Sequence, residues 1–371
     1  MNRLRTLLLA GVSASLLAAG TQSSLADSTR YEQKNLVSDG TIPAAHVDTH
    51  LVNAWGIAFN PAGFVWVNAA DGGVSVLFDG AGNPAPVGNP LVVQIPSANN
   101  VYDPLGNPTG IVFSGSNNEF LVAPGAPARF IFASEQGIIS AWAPTVDATH
   151  AIFKRQTPGA VYKGLALTGN GSGNFLYAAD FLGGKIDVFD NAFNPVDATG
   201  RFVDPQLPRN FSPFNIQAIQ GDLYVTYAFH KPGDDEETPG PGLGVVNVFD
   251  ANGQLIRRVA SRGKLNAPWG VALAPASFGR FANDLLVGNF GDGAINAFDA
   301  QNGTFKGQLR DPSGKPLRID GLWGLAFGNG ILGQLTSTLY FTAGPDEEAH
   351  GLYGSITAVA GPKGGKDDDD D

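Results

Sequence analysis

Two acidic stretches of this 371-residue sequence contain the residues whose types and spacing are best suited to binding a cation. Their members are Asp234, Asp235, Glu236 and Glu237 in the first, and Asp346, Glu347, Glu348 and His350 in the second. Hard cations prefer carboxylate oxygens, so the two clusters predict a site for Ca²⁺ or another divalent cation. Neither stretch has the alternating spacing of an EF-hand loop, and a pair of solvated surface loops is the alternative interpretation.

Six further residues are candidates for binding a small ligand. Trp55, Trp269 and Trp323 occupy equivalent places in a repeated motif and offer faces on which a sugar, a lactone or an aromatic ligand can stack. Their alternative role is packing inside the protein. The others, Asn215, Asp180 and Asn289, lie near strand ends, where they either converge as ligands in a channel or serve the local turns.

The repeated motif organises the whole sequence. Its six copies lie at 54–58, 108–112, 162–166, 213–216, 268–272 and 322–326, and successive copies are 51 to 55 residues apart. Each copy is followed by further short apolar runs that are separated by glycine-rich turns, which is typical of β-strands. Four strands per repeat and six repeats predict an all-β protein, a six-bladed β-propeller with four-stranded antiparallel blades.

The fourth strand of each blade is predicted from the last apolar run of each repeat. In the first five repeats these runs lie at 91–95, 151–154, 200–203, 255–259 and 304–309. The sixth repeat has no such run, and an unpaired edge would remain. Residues 33–38 precede the first repeat, and we expect this N-terminal strand to pair in the last blade and close the ring.

The topology of such blades predicts where the candidate residues lie. The first strand of each blade lines the central channel, and its start lies on the same face as the loop between the second and third strands. The tryptophans and the long acidic loops at 228–243 and 344–352 should therefore share one mouth of the channel. Long loops on a rigid scaffold are frequent sites of function.

Composition and the chain ends suggest where the protein works. The net charge is −11, and the sequence has no basic run, which argues against nucleic acid or an anionic membrane as partner. Residues 1–26 read as a signal peptide, with Arg3 and Arg5 before an apolar segment and cleavage near Ala26, so secretion or periplasmic export is expected. The propeller would span 27–360, and 361–371 would form a disordered acidic tail.

The repeats and acidic loops also carry a family resemblance. The stretches LVNAWGIAF (51–59), LLVGNFGDGAINAFD (285–299) and LYFTAGPDEEAHGLYGSI (339–356) resemble a secreted bacterial family of conserved hypothetical proteins related to NHL-type six-bladed propellers. The resemblance covers essentially the whole chain after the signal peptide. It implies export and a propeller, but it supplies no established reaction and no catalytic residue.

The sequence leads to two main functional hypotheses, and an adhesive or structural surface protein, supported only by the aspartate tail, is a third possibility. The first is a binding or scaffold propeller whose Trp-rimmed, acidic mouth holds a small molecule, a cation or a cell-surface polymer. The second is a divalent-metal-dependent hydrolase or lactonase, by analogy with other six-bladed propellers. The sequence contains no nucleophile elbow, no HExxH motif and no cysteine. Whether the protein is an enzyme, which ligand it binds and its oligomeric state are therefore left open.

Overall fold

The structure is a computed structural model, and it describes residues 29–361. It confirms the predicted all-β architecture, because six four-stranded antiparallel sheets form the blades of one propeller. Among these residues the only helical segment is a short 3₁₀ turn at Gly279–Phe281. No helix in the described range has the length and apolar character needed to span a bilayer.

Each blade is a meander whose first strand is innermost. Blade 1 contains Ala54–Phe59, Val65–Ala69, Val74–Phe78 and Val92–Gln94; blade 2 contains Pro108–Phe113, Phe130–Ser134, Ile138–Trp142 and Ile152–Gln156; blade 3 contains Tyr162–Gly169, Asn174–Asp180, Lys185–Phe189 and Pro195–Val196. Blade 4 contains Phe211–Ile219, Asp222–Phe229, Gly244–Phe249 and Leu255–Ser261; blade 5 contains Pro268–Leu273, Leu285–Asn289, Ile295–Phe298 and Phe305–Gln308. Blade 6 contains Leu322–Phe327, Thr338–Ala343, Leu352–Ala360 and Thr29–Ser38, with His46–Val47 added in parallel. Two small hairpins, Pro96–Ala98 with Val101–Leu105 and Leu121–Ala123 with Ala126–Pro127, lie outside the blades.

The N-terminal strand closes the ring as predicted. Thr29–Ser38 pairs antiparallel with Leu352–Ala360 along its whole length, so the closing strand is longer than residues 33–38. Tyr31 and Val37 on this strand are buried. The closure therefore combines backbone hydrogen bonds with apolar packing, and it removes the free edge that the sixth repeat would otherwise leave.

One predicted strand is wrong. Residues 200–203 form a loop, and the fourth strand of blade 3 is the two-residue segment Pro195–Val196. Phe202 adopts a left-handed conformation, with φ of 56°. Its ring packs against Tyr177 and Phe249, at centroid distances of 5.8 and 5.4 Å. Inward packing of this ring bends the chain away from the blade edge, whereas the apolar pattern alone resembled a strand.

The glycine of the repeated motif allows the inner strands to pack closely around the channel. A Cβ atom on Gly56 would lie 2.1 Å from the Thr109 carbonyl oxygen of the next blade. A Cβ on Gly270 would likewise lie 2.5 Å from the Trp323 carbonyl oxygen. Only glycine tolerates such close approach of two backbones. The motif glycine therefore recurs once per blade, at the place where the inner strands of neighbouring blades are in contact.

The predicted signal peptide, with its cleavage site near Ala26, lies outside the described residues. The same holds for nearly all of the predicted tail at 361–371, of which only Gly361 is described.

Candidate functional site at the channel mouth

One position of the repeated motif places a side chain from every blade at one end of the channel. The residue before the motif glycine, or before Asn215 in blade 4, is Trp55, Thr109, Lys163, Phe214, Trp269 or Trp323 in successive blades, and all six are buried. In all six blades the pairing of the first and second strands shifts register at the motif. We call these six residues the mouth ring.

The three tryptophans of the mouth ring pack against one another. Trp55 and Trp323 are stacked with ring centroids 3.7 Å apart, and Trp269 meets both edge-on. Phe290 stacks on Trp323 at 4.1 Å. The expected convergence of Trp55, Trp269 and Trp323 is therefore present, but their faces are largely occupied by protein. Stacking of a ligand on them stays a prediction.

The indole nitrogens of these tryptophans differ in their partners. Trp323 Nε1 donates to Asn53 Oδ1 at 3.0 Å, and Trp269 Nε1 donates to the Lys163 carbonyl oxygen at 2.8 Å. Trp55 Nε1 is buried, and no group among residues 29–361 accepts a hydrogen bond from it. Buried polar groups are normally paired, so this N–H group differs from the other indole N–H groups of the mouth ring.

Lys163 is the chemical centre of the mouth. Its side chain is 0% exposed, and its ammonium lies over the rings of Trp55 and Phe181, at 5.4 and 5.6 Å from the centroids. Three carboxylates from two other blades surround it: Nζ is 2.7 Å from Glu236 Oε2, 3.3 Å from Glu135 Oε1 and 3.7 Å from Glu237 Oε2. Cation–π contacts and ion pairs together fix this buried charge.

The carboxylates outnumber the ammonium, and the direction of the pKa shifts follows from this. Burial acts to lower the pKa of Lys163, but the charges of the three glutamates outweigh burial and raise the pKa, so the side chain is charged. Burial raises the pKa of the Glu135 and Glu237 carboxyls, and Lys163 only partly offsets this effect. One ammonium therefore leaves the mouth with an excess of acid.

Glu348 adds a further carboxyl from blade 6. It follows Asp346 and Glu347 in a turn in which all three residues have positive φ, between 53° and 70°. Asn53 Nδ2 donates to Glu348 Oε2 at 2.6 Å. Burial raises the pKa of the Glu348 carboxyl to about 7, and the charge of Glu237 adds to the effect. Glu348 is thus partly protonated near neutral pH.

Asp71 completes the acidic group from blade 1. Burial raises the pKa of its carboxyl, against hydrogen bonds from Asn53 and Asn107, and the charge of Glu236 adds to the rise. The Asn107 Nδ2 atom donates to Asp71 Oδ1 at 3.2 Å. Loops from blades 1, 2, 4 and 6 thus supply five carboxyl groups around a single lysine from blade 3.

The two predicted acidic clusters meet only in part. Glu236, Glu237 and Glu348 come together, and the cation between them is the Lys163 ammonium. The other four acidic residues are exposed to solvent: Asp234, Asp235, Asp346 and Glu347. His350 pairs instead with Asp39, with 2.7 Å between Nδ1 and Oδ2. Among residues 29–361, no group of three or more His, Asp or Glu side chains has the geometry of a metal site.

The three predicted polar channel ligands do not converge. Asn215 takes the glycine position of its motif copy and donates from Nδ2 to the Trp269 carbonyl oxygen at 2.9 Å. Asp180 accepts hydrogen bonds from the backbone of Val161 and Gly183. Asn289 donates to the Lys264 carbonyl oxygen and to Asp292. Asp180 and Asn289 therefore serve local turns, as their alternative interpretation states.

The channel beneath the mouth ring offers little to the hydrolase hypothesis. A narrow cavity there is lined by glycines and aliphatic side chains, including Gly56, Ile57, Gly110, Leu165 and Val271. Its polar side chains are the amides of Asn215 and Gln217, and no carboxylate from the described part of the chain lines it. Carboxylates that converge within the channel, which this hypothesis requires, are not found in this cavity.

Lys163, Glu135, Asp71 and Asn53 are site residues that sequence reasoning missed. A signal for Lys163 was present, because it replaces an aromatic or small residue at the mouth ring position of the repeat. A charged residue at a position that repeats as core is unusual unless it is paired. Glu135 carries no such signal, since it directly follows a strand and resembles an ordinary turn residue.

Comparisons with solved structures agree with the fold. A protein of unknown function from Bacteroides thetaiotaomicron superposes with a TM-score of 0.56 at 10% identity, covering 89% of this chain and 76% of that chain. The virginiamycin B lyase of Staphylococcus aureus gives 0.50 at 14% identity, covering 89% of this chain and 100% of that one. At such identities the likeness concerns the fold alone. No protein family profile matches the chain.

Sequence comparison finds closer relatives in Acanthamoeba polyphaga mimivirus. The uncharacterized protein R648 is 36% identical over 340 residues, which cover 88% of this chain and 80% of that protein. The uncharacterized protein L690 is 37% identical over 339 residues, covering 86% and 84%. These relatives are viral, so they give no support to the secreted bacterial family that the sequence suggested, and that assignment stays a prediction. The chain belongs to the same family of β-propeller proteins as R648 and L690.

Proposed function

We propose that this protein is an exported binding propeller that holds a cationic, hydroxyl-bearing ligand at its channel mouth. The observation that carries the proposal is the excess of carboxyl groups around Lys163. Glu236 is the accessible member of this group, because its side chain is 65% exposed. A second positive charge that approached from solvent would therefore meet Glu236 first and then Glu348 and Glu237.

The hydroxyl requirement rests on two buried atoms without hydrogen-bond partners. Among the described residues, Trp55 Nε1 is a donor that lacks an acceptor, and Glu237 Oε2 is an acceptor whose ion-pair partner, Lys163 Nζ, lies 3.7 Å away, beyond hydrogen-bond distance. A hydroxyl group both donates and accepts, whereas an inorganic cation cannot accept from an indole N–H. An amino sugar combines the required charge with hydroxyls, and cell-surface polymers present such units.

Calorimetry with chemically matched ligands tests this assignment. Glucosamine should release heat on binding, whereas glucose, which lacks the charge, and ethylammonium, which lacks the hydroxyls, should bind at least about tenfold more weakly. Calcium chloride serves as the inorganic cation. An absence of heat with glucosamine and its oligomers would remove the proposed ligand class, and heat with calcium alone would favour a purely inorganic site.

Variants locate the binding site. Glu237→Gln removes one charged acceptor, and loss of a charged hydrogen bond of about 1.5–3 kcal/mol corresponds to a roughly 10- to 150-fold weaker affinity. The control is Asp197→Asn, a carboxyl-to-amide change on an exposed loop of blade 3. Affinity for glucosamine should increase as the pH rises from about 5 toward 7, where Glu348 begins to ionise, and should fall again at higher pH, where the sugar ammonium loses its proton. Equal affinity for the two variants would place the ligand elsewhere.

A further inference from the structure

A basic groove runs beside the outer strand of blade 5. It is lined by four cationic side chains and two aromatic rings: Lys264, Arg280, Lys306, Arg310, Phe281 and Phe305. No acidic residue of the described range 29–361 lines it. The sequence has no basic run, and these cations come together only after folding, because three separate segments contribute them.

The positive charge of this groove is only partly compensated. Lys306 Nζ lies 3.2 Å from Asp299 Oδ2, and its charge also acts on the carboxyl of Asp284. Arg310 Nη1 donates to the Gly314 carbonyl oxygen, and the Arg280 guanidinium lies over the Phe281 ring. Phe305 is 41% exposed beside them. In a protein whose net charge is −11, such a local excess of cations favours an anionic partner.

The last strand of the propeller ends next to this groove. Ala360 pairs with Thr29, and a Cβ atom on Gly279 would lie 2.5 Å from Thr29 Cγ2. Two residues further along the closing strand, the Tyr31 backbone N–H donates to the Arg310 carbonyl oxygen at 2.8 Å. Residues on both sides of the groove therefore touch the strand beside which the chain leaves the propeller.

The sequence that follows has the complementary charge. Five residues lie between Gly361 and Asp367, and an extended chain reaches about 20 Å from the first of these two positions to the second. Asp367–Asp371 are five consecutive aspartates. We propose that this acidic run docks in the basic groove of blade 5 of the same molecule. Charge contacts alone suffice for such docking, and no regular structure of the run is required.

Attachment to the same chain favours this occupant over a separate acidic partner. A short linker gives an attached segment an effective concentration of about millimolar. A free acidic peptide or phosphate must exceed that concentration to displace it. The docking is electrostatic, so salt should weaken it, because the Debye length shortens from about 10 Å at 0.1 M to about 3 Å at 1 M salt.

Zero-length carbodiimide cross-linking of the full chain tests the docking, since it joins only carboxylates and lysines in direct contact. Mass spectrometry should find the run Asp367–Asp371 linked to Lys306 or Lys264 within monomers. The yield should fall several-fold in 1 M salt and vanish when the five aspartates are replaced by asparagine. Cross-links found only in dimers, or only to lysines elsewhere, would overturn the proposal.

Peptide binding gives an independent readout. A fluorescent penta-aspartate peptide should bind the asparagine variant of the run at least about tenfold more tightly than the full chain, because the groove is then vacant. Adding Arg280→Gln and Lys306→Gln to the asparagine variant should abolish this binding, whereas the control Lys185→Gln on blade 3 should not. Equal peptide affinity for the full chain and the asparagine variant would show that the groove is not occupied in cis.

Discussion

Replacing Lys163 by methionine tests whether this lysine holds the mouth together. The two side chains have similar length and shape, so the substitution removes the charge and leaves the volume nearly unchanged. Glu237 is then left with a side chain that is 3% exposed and no cation. Glu135 loses its cation as well, at 27% exposure. Removing one partner of a buried ion pair costs about 3–5 kcal/mol, because the remaining charge stays buried.

The loss of stability should depend on pH. Without Lys163 the folded-state pKa values of Glu135 and Glu237 lie further above their unfolded values, since burial already raises them. Carboxyls with a raised folded pKa stabilise the fold below the unfolded pKa of about 4.3, and this contribution is lost as the pH rises through the folded pKa. We therefore expect the full destabilisation of about 3–5 kcal/mol at pH 8 and a smaller one at pH 5.

Urea unfolding, monitored by tryptophan fluorescence, measures the free energy of unfolding at pH 8 and at pH 5. If refolding is incomplete, unfolding rates are compared instead. The control is Lys185→Met, because Lys185 is 53% exposed while pairing with Asp187. Such exposed pairs contribute about 0–1 kcal/mol. The reasoning fails if Lys163→Met is no more destabilising than the control at pH 8, or if its effect is the same at both pH values.

Three further predictions follow from the same structure. Glu348→Gln keeps the acceptor for Asn53 and removes the charge. Because the pKa of Glu348 is raised to about 7, the wild-type protein loses stability as the pH rises, so the variant should be more stable than wild type at pH 8 and equally stable at pH 5. Urea unfolding measures both differences, and equal differences at the two pH values would contradict the raised pKa. Gly56→Ala forces a contact of 2.1 Å with a backbone oxygen and should cost at least about 2 kcal/mol by thermal unfolding, whereas Gly115→Ala, with its nearest neighbour at 3.5 Å, should be close to neutral. Tyr31→Ala empties a buried site on the closing strand and should cost about 3–5 kcal/mol, with increased amide exchange in Leu352–Ala360; unchanged exchange there would argue against its role in closure.

The fold was predictable because the blade contact constrains the sequence directly. A glycine such as Gly56 or Gly270 recurs where two inner strands approach each other. The number of motif copies therefore predicts the number of blades. The loop at 200–203 was not predictable by the same means. Its apolar residues match a strand pattern, and only the tertiary contacts of Phe202 with Tyr177 and Phe249 bend it inward.

The site was predictable in location but not in composition. Topology placed the acidic loops and the tryptophans at one mouth, and Glu236, Glu237 and Glu348 do meet there. The lysine that they surround could have been found by aligning the motif copies, since position 163 is aromatic in four of the other five. The basic groove could not, because Lys264, Arg280 and Lys306 belong to segments that are adjacent only after folding.

The ring closure also decides how the molecule is oriented when it is held by either end. The paired strands Thr29–Ser38 and Leu352–Ala360 run about 30 Å from the level of the mouth to the opposite face. Ser38 and Leu352 lie at the mouth end, and Thr29 and Ala360 lie together at the far end. A tether at either end would therefore hold the propeller by its back and present Lys163 and its carboxylates outward.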